Sequence, residues 1–329
     1  MKSLKNGLIV LSVLLFQSNA FGQDTLQYSD IKGIHARGLL LVKDKLYVGT
    51  NTGAIFSIKK DKVKQIMPVN KYKEIRDLSF VNGKLIAMSS GDSSALLFFK
   101  RDRLKSIEKQ LFEGVFLDGL DSKNDVLFMM GDPNQKGDLS LFYSINGGKN
   151  IHPVNQKVHA LKNEAAFAAS GTTVFVEDRN NWFFVTGGEA SRLIQTHDGG
   201  FSWTINEIPF PSCLSCGPYS VAKINDSTFV TVGGDYLKAE DGVSSCFWTQ
   251  DGGKTWQESD TEVGGYRSCI YLKNDVLYAC GTNGLDYSTD NGKNWVSMSK
   301  GNFLSMISDD KQLIVSASEG KIIRFNLIK

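Results

Sequence analysis

The sequence predicts an all-β protein, a seven-bladed β-propeller closed by a strand near its N-terminus. An apolar run recurs seven times, with 36 to 56 residues between successive starts, and a second apolar run follows each one across a turn. That period fits the four-stranded blade of a propeller. The seven runs begin at Leu46, Leu85, Leu127, Phe183, Phe229, Leu277 and Leu313.

Each repeat contains the strands of one blade. The two apolar runs form a hairpin, because both are rich in β-branched and aromatic residues and neither has a helical period. A short strand such as "ARGLLLV" precedes each hairpin and is predicted to be the innermost strand. The last repeat ends one strand short at "GKIIRFNLIK", and "DTLQYSDI" near the N-terminus has no repeat of its own. Pairing these two stretches closes the ring and protects both sheet edges.

The number of blades depends on one long interval. The 56 residues between the starts at Leu127 and Phe183 could contain an irregular insertion, so six or eight blades are alternatives to seven. A two-sheet sandwich is the alternative fold, but it would not require the same unit seven times.

The N-terminal segment resembles a secretory signal peptide over residues 1–22. Lys2 and Lys5 precede an apolar stretch at 7–16, and small residues precede Gln23. An apolar stretch of about ten residues is too short to span a bilayer. We therefore expect cleavage before Gln23, a single propeller domain over residues 23–329, no membrane span after cleavage, and an exported protein, either periplasmic or secreted.

Composition excludes several classes of function. The 37 basic and 35 acidic residues give a formal net charge of +2, which argues against a nucleic-acid partner. The four His residues have no ligand spacing and no Ca²⁺-binding loop is present, so we expect no metal. The Gly-rich turns lie between strands, whereas a dinucleotide site needs one between a strand and a helix. We therefore expect no cofactor, and we expect a monomer.

Two of the five cysteines form a C-x-x-C motif. Cys213 and Cys216 lie in the loop "PFPSCLSCGPYS", where a local disulfide is the favoured interpretation. A zinc site is the weaker alternative, since the loop has no second cysteine pair and no nearby His. Cys246, Cys269 and Cys280 lie in apolar runs and are predicted to be buried as small hydrophobic residues.

The motif Ser/Thr-x-Asp-x-Gly-x-x-Trp occurs three times at blade spacing, and "SINGGKNI" is a diverged fourth copy. In this motif, known as the Asp box, the Asp accepts hydrogen bonds from nearby backbone N–H groups, the Gly supplies a positive φ, and the Trp packs the hairpin. We interpret these residues as structural rather than catalytic. They are Asp198, Trp203, Asp251, Trp256, Asp290 and Trp295.

On these turns the chain resembles the BNR/Asp-box propellers, which include sialidases, sortilin-type receptors and photosystem II assembly-factor-like proteins. It is most similar to an exported bacterial subgroup of the assembly-factor-like proteins, with WD40/YVTN-like repeats. The similar stretches include "EAAFAASGT" at 164–172, "VGGDY" at 232–236 and "GGYRS" at 264–268. The resemblance implies an assembly or stability role. Members of the subgroup are often labelled oxidoreductases, a label for which this sequence has no dinucleotide motif.

Aligning the first residues of the inner strands predicts a polar ring at the mouth of the channel, where propellers usually bind ligands. Its three arginines could bind a carboxylate or sulfate, and its other polar members are of the acid, base and nucleophile types. The ring comprises Arg37, Arg76, Asp118, Glu164, Tyr219, Arg267 and the less polar Leu304.

Three interpretations of this ring follow. The first is an exported, non-enzymatic propeller that binds a protein or glycan partner in the cell envelope. The second is a sialidase-like glycoside hydrolase acting on acidic sugars, since the residue types are similar to the sialidase set. The Arg-Ile-Pro signature of sialidases is missing, because the comparable stretch reads "IHARGLLLV". The third is a purely structural ring in which arginines and acids pair with one another.

Overall fold

The computed structural model describes residues 23–27, for which only the backbone is considered, and residues 34–60 and 62–328. The predicted signal peptide lies outside the described residues. Seven antiparallel sheets are arranged as the blades of a propeller, which confirms the predicted fold. Short 3₁₀ turns lie at Gln110–Phe112, Tyr236–Lys238 and Ser318–Gly320. No helix in the part of the chain described here is long and apolar enough to span a membrane.

The first three blades each have four strands. Blade 1 consists of β2 (Ala36–Val42), β3 (Lys45–Thr50), β4 (Ile55–Lys59) and β5 (Lys62–Met67). Blade 2 consists of β6 (Ile75–Val81), β7 (Lys84–Ser89), β8 (Ala95–Lys100) and β9 (Arg103–Glu108). Blade 3 consists of β10 (Leu117–Lys123), β11 (Val126–Pro133), β12 (Leu139–Ser144) and β13 (His152–Pro153).

Blade 4 has five strands because its inner strand is split. It consists of β14 (Glu164–Ala165), β15 (Val174–Val176), β16 (Trp182–Gly188), β17 (Arg192–Thr196) and β18 (Thr204–Glu207). Blade 5 consists of β19 (Pro218–Lys223), β20 (Phe229–Gly233), β21 (Cys246–Thr249) and β22 (Gln257–Glu258). Blade 6 consists of β23 (Cys269–Lys273), β24 (Val276–Gly281), β25 (Gly284–Ser288) and β26 (Val296–Lys300).

Blade 7 joins the two ends of the chain. It consists of β27 (Phe303–Ser308), β28 (Gln312–Ala317), β29 (Lys321–Asn326) and, as its outer strand, β1 (Gln23–Gln27). β1 runs antiparallel to β29, with Gln27 opposite Lys321 and Gln23 opposite Phe325. The predicted N-terminal closure strand is therefore confirmed.

The hydrophobic core lies between neighbouring blades. Both faces of a blade pack against its neighbours, so the second strand of each sheet is buried along most or all of its length, as in β16. Between blades 3 and 4, the ring of Phe128 stacks on Trp182 with 5.1 Å between the ring centroids. The outer strands are mostly exposed, as in β18 and β22.

The Asp-x-Gly turns between third and fourth strands hold their carboxylates in local hydrogen bonds. Oδ2 of Asp251 accepts a hydrogen bond from the Thr255 hydroxyl at 2.6 Å, and Oδ1 accepts bonds from Thr255 N at 2.9 Å and the Thr249 hydroxyl at 2.8 Å. These bonds, the Thr255 hydroxyl first, lower the pKa of Asp251 to about 2. The indole N–H of Trp256 donates to Gly253 O at 3.0 Å.

The other two complete copies behave alike. Oδ1 of Asp198 accepts a bond from Ser202 N, and Oδ1 of Asp290 accepts one from Asn294 N, both at 2.9 Å. The indole of Trp203 donates to a neighbouring loop at Gln156 O, 3.1 Å away, and that of Trp295 donates to Gly292 O at 3.1 Å. All three carboxylates are occupied within their own turns.

Candidate functional site

In five of the seven blades the inner strand begins with a one-residue bulge, which turns a side chain towards the end of the channel. The strand register shifts after the first residue in blades 1, 2, 3, 5 and 7. A bulge leaves one residue of the strand unpaired and redirects it. The residues at the shifts are Arg37, Arg76, Asp118, Tyr219 and Leu304.

Blade 4 departs from this pattern. Residues 166–173, between β14 and β15, leave the sheet and enter the channel; we call them the blade-4 plug. Arg76 Nη1 donates a hydrogen bond to Ala168 O, and the Ser170 hydroxyl donates to Ser268 O at 2.8 Å. The plug therefore contacts blades on opposite sides of the ring. The plug is the irregular insertion that the 56-residue interval between Leu127 and Phe183 could contain.

A cavity of about 510 Å³ lies above the plug, at the end where the inner strands begin. Every blade contributes to it, blade 4 through plug residues 166–169. We call it the upper cavity. The other blades contribute, in order, Arg37, Arg76, Asp118, Tyr219, Ser268 and Leu304.

One side of the upper cavity is cationic. Arg76 Nη2 lies 3.2 Å from Oε2 of Glu74. Arg37 is half-buried and has no hydrogen bond or ion pair from its side chain within the described residues, and its Nε is shielded from solvent. Burial, and then repulsion by Arg37, lower the pKa of Arg76. Two partly desolvated guanidinium groups side by side favour binding of an anion.

Two carboxyl groups, those of Asp118 and Asp132, lie on the cavity wall that adjoins the arginines. Burial, followed by repulsion from Asp132, raises the pKa of Asp118 well above its ordinary value. Burial also raises the pKa of Asp132, whose Oδ1 accepts a hydrogen bond from Ala166 N at 3.2 Å. Oδ2 of Asp118 is buried and has no hydrogen-bond partner among the described residues. This wall therefore has an unsatisfied acceptor, or a donor if Asp118 is protonated.

The remaining side is aromatic. The ring of Tyr219 stacks on Phe167 of the plug at 4.1 Å and meets Tyr266 edge to face at 4.8 Å. Tyr236 lies 6.4 Å from Tyr219, also edge to face. The Tyr219 hydroxyl donates to Ser215 O at 2.9 Å, and burial raises its pKa. Its phenol is therefore held neutral, as part of a flat apolar wall.

The C-x-x-C loop braces this aromatic wall. The structure contains a Cys213–Cys216 disulfide, and Ser215 between them donates its hydroxyl hydrogen bond to Oδ1 of Asp235 at 2.7 Å. The same oxygen accepts a bond from Leu237 N at 3.0 Å and so caps the turn that carries Tyr236. Cys213, Cys216 and Asp235 form the one group of three potential metal-ligating residues found among the described residues. With the sulfurs bonded to each other, the loop offers no thiolate to a metal.

Glu164 and Arg267, expected in the ring, lie outside the upper cavity. Glu164 is buried and accepts bonds from Arg192 Nε and Nη2, both at 2.6 Å. Arg267 has 1% of its side chain exposed, and its Nε lies 2.7 Å from Oδ2 of Asp286. The expected alignment is displaced by one residue in blade 6, where Ser268 lines the cavity. In blade 4 the chain leaves the sheet after Ala165, so the plug replaces the expected position.

The residues that the sequence offered for a sialidase-like site do not all lie together in the upper cavity. Arg37 and Arg76 line the upper cavity, but Arg267 is paired elsewhere. The Tyr219 hydroxyl is occupied by a backbone carbonyl rather than by a carboxylate that could activate it.

The alignment of the inner strands missed several residues of the upper cavity that lie in stretches carrying the family resemblance. Three of the stretches that carry the family resemblance contribute to the upper cavity: Phe167 comes from "EAAFAASGT", Tyr236 from "VGGDY", and Tyr266 and Ser268 from "GGYRS". Asp132 lies near the end of the second strand of blade 3 and had no such signal. The repeated apolar pattern located the blades, while these polar and aromatic stretches marked the cavity.

Comparison with known proteins identifies the fold. No family model and no curated protein matches this chain. Among solved structures, virginiamycin B lyase from Staphylococcus aureus is similar, with a TM-score of 0.66, 14% identity, and coverage of 94% of this chain and 100% of that one. YCF48 bound to a D1 peptide has a TM-score of 0.63 and 10% identity, covering 93% and 97%. The WD40 propeller domain of Doa1 has the same TM-score of 0.63 with 10% identity, covering 94% and 98%. These likenesses show the fold alone.

Proposed function

We propose that this propeller binds a segment of a partner protein in the upper cavity. An acidic group of the partner binds at Arg37, and an aromatic or apolar side chain packs on the wall formed by Tyr219, Tyr236 and Tyr266. The observation that carries the proposal is the guanidinium of Arg37, which has no partner among the described residues, in a cavity that also has an aromatic side. Such a combination recognises both charge and shape.

The charges of the cavity favour a ligand of mixed character. Arg37 and Arg76 repel each other, so a bound carboxylate or sulfate relieves that repulsion and satisfies the free N–H groups. Asp118 and Asp132 on the adjoining wall accept N–H or ammonium groups, which an extended peptide supplies along its backbone.

The wider role in this proposal is that of an exported binding protein in the cell envelope that supports assembly or stability of its partner. Support comes from residues 1–22, with their signal-like pattern, and from the resemblance to the BNR/Asp-box, assembly-factor-like propellers. YCF48, one of the structural neighbours, has a D1 peptide bound. A glycan is the alternative occupant, since sugars also stack on aromatic rings.

Binding to arrays of short peptides and of glycans tests this proposal. We expect the protein to select peptides that combine acidic and aromatic residues, and Arg37→Ala to weaken that binding about tenfold or more, or about 1.4 kcal/mol. Arg101→Ala, in an exposed turn of blade 2, is the matched control and should bind as the wild type does. Binding only to acidic glycans, or equal binding by Arg37→Ala and the wild type, would contradict the proposal.

A further inference from the structure

A second cavity, of about 350 Å³, lies below the blade-4 plug. Its wall is mostly apolar and includes seven apolar residues, one from the inner strand of each blade, and we call it the lower cavity. A cavity of this size fits a compact small molecule, since ligand pockets start at about 300 Å³. The seven residues are Leu39, Leu78, Leu120, Val174, Val221, Ile270 and Met306.

The plug separates the lower cavity from the upper one. Residues 166–169 line the upper cavity, whereas Ser170, Gly171 and Thr172 line the lower one. Thr172 O accepts a hydrogen bond from Val221 N at 3.1 Å, and the Ser170 hydroxyl is bonded to Ser268 O. The roof of the lower cavity is therefore fixed to blades 5 and 6. A ligand below it does not reach the arginines above it.

The lower cavity wall carries two carboxyl groups, Asp77 and Asp121, together with the amino group of Lys223 and the phenol of Tyr271. Burial raises the pKa of Asp77 well above its ordinary value. Lys223 Nζ is already neutralised by Glu177 at 2.6 Å and Asp226 at 2.8 Å.

The two carboxylates differ in what they can offer a ligand. Asp77 is buried, and its two oxygens accept hydrogen bonds from Leu78 N at 2.8 Å and Leu120 N at 2.9 Å. Asp121 is half-buried, and its Oδ2 accepts a bond from Val176 N at 2.6 Å. Lys123, further along the same strand, is exposed to solvent. Asp121 is therefore the carboxylate placed to meet a cation.

We infer that the lower cavity binds a small apolar amine, with its hydrocarbon body among the seven apolar side chains and its ammonium group against Asp121. Apolar burial supplies most of the affinity, and the carboxylate selects the sign of the charge. Burial raises the pKa of Asp121 to about 6, so the carboxylate is ionised at neutral pH and becomes protonated below that value. Binding of the amine in the lower cavity does not depend on what binds in the upper cavity.

A pair of ligands with the same shape and opposite charge tests the inference. Calorimetric titration with 1-adamantylamine and with 1-adamantanecarboxylate should show the amine binding at least about tenfold more tightly at neutral pH, where both are charged. Asp121→Asn should remove most of that preference. Amine affinity for the wild type should also fall as pH drops below about 6, and Asp121→Asn should not show this fall.

Variants that fill the cavity complete the test. Leu39 is half-buried on the cavity wall, and Leu39→Trp should abolish binding of the amine. Leu104→Trp, on the exposed outer strand of blade 2, is the matched control and should bind normally. Arg37→Ala should also bind the amine normally, whatever its effect on peptides. The inference is overturned if the amine does not bind, if both ligands bind equally, or if Asp121→Asn keeps the preference.

Discussion

Two buried ion pairs of opposite polarity occupy similar places in blades 4 and 6. In blade 4 the acid, Glu164, lies on the inner strand and Arg192 lies on the third strand of the blade sheet. In blade 6 the arginine, Arg267, lies two residues before the inner strand and Asp286 lies on the third strand. The side chains of all four residues are at most 6% exposed. A buried charge needs its partner, so these residues serve the blades rather than a ligand.

We predict that Arg267→Ala lowers the free energy of unfolding by about 3–5 kcal/mol, because it leaves the Asp286 carboxylate buried without its partner. Urea unfolding followed by tryptophan fluorescence measures this loss. The double variant Arg267→Ala/Asp286→Ala removes both charges and should recover part of the stability. A loss below about 1 kcal/mol in the single variant, the range of an exposed ion pair, would contradict the buried pairing.

At the scale of elements, the blade-4 plug is the largest departure from the repeat. Gly171 adopts a φ of +77°, and a Cβ atom there would lie 2.6 Å from Cγ of Asp77 across the channel. Both the backbone conformation and the close approach therefore require glycine. At this point the backbone of the plug packs directly against the buried carboxyl group of Asp77.

We predict that Gly171→Ala destabilises the protein more than Gly83→Ala. Gly83 has a similar φ of +74°, but a Cβ atom added there would meet no other atom within 4 Å, so its substitution carries the backbone cost alone, about 1–2 kcal/mol. Gly171→Ala adds a steric clash of about 1–3 kcal/mol. Thermal and urea unfolding compare the two variants. Equal losses would mean that the plug moves away from Asp77 without cost.

The sequence predicted the blades well and the plug poorly, for a physical reason. Apolar runs repeat because every blade buries the same strands, so local pattern is sufficient to locate them. The stretch "EAAFAAS" fits an inner strand equally well in isolation. It is drawn into the channel by contacts from distant parts of the chain, such as Arg76 to Ala168 and Tyr219 to Phe167. In "GGYRS", a displacement of one residue along the chain places Ser268, and not Arg267, at the cavity.

At the scale of the whole molecule, the ring is held closed by β1. Its pairing with β29 gives blade 7 its fourth strand and covers an edge that would otherwise be free. Free strand edges pair readily with other chains. The closure thus contributes to stability and prevents association at the same time.

We predict that deletion of residues 23–27 lowers the melting temperature by about 5–10 °C, as expected for a loss of a few kcal/mol in a protein of this size, and causes self-association. Calorimetry and light scattering measure the two effects. A synthetic peptide with the sequence of Gln23–Gln27 should restore both when added in excess. An unchanged melting temperature and a monodisperse truncated protein would show that three strands suffice for blade 7.

The pairing of β1 with β29 also forms late during synthesis of the chain. Gln23 is made about 300 residues before Phe325, so the pair cannot form until all seven blades have been synthesised. Contacts between residues so distant in sequence are slow to form, because closing a long loop costs entropy. Until then the nascent protein is an open arc of blades with two unprotected edges. Free strand edges pair with other chains, so crowding of newly made chains favours association until this final strand pairing has formed.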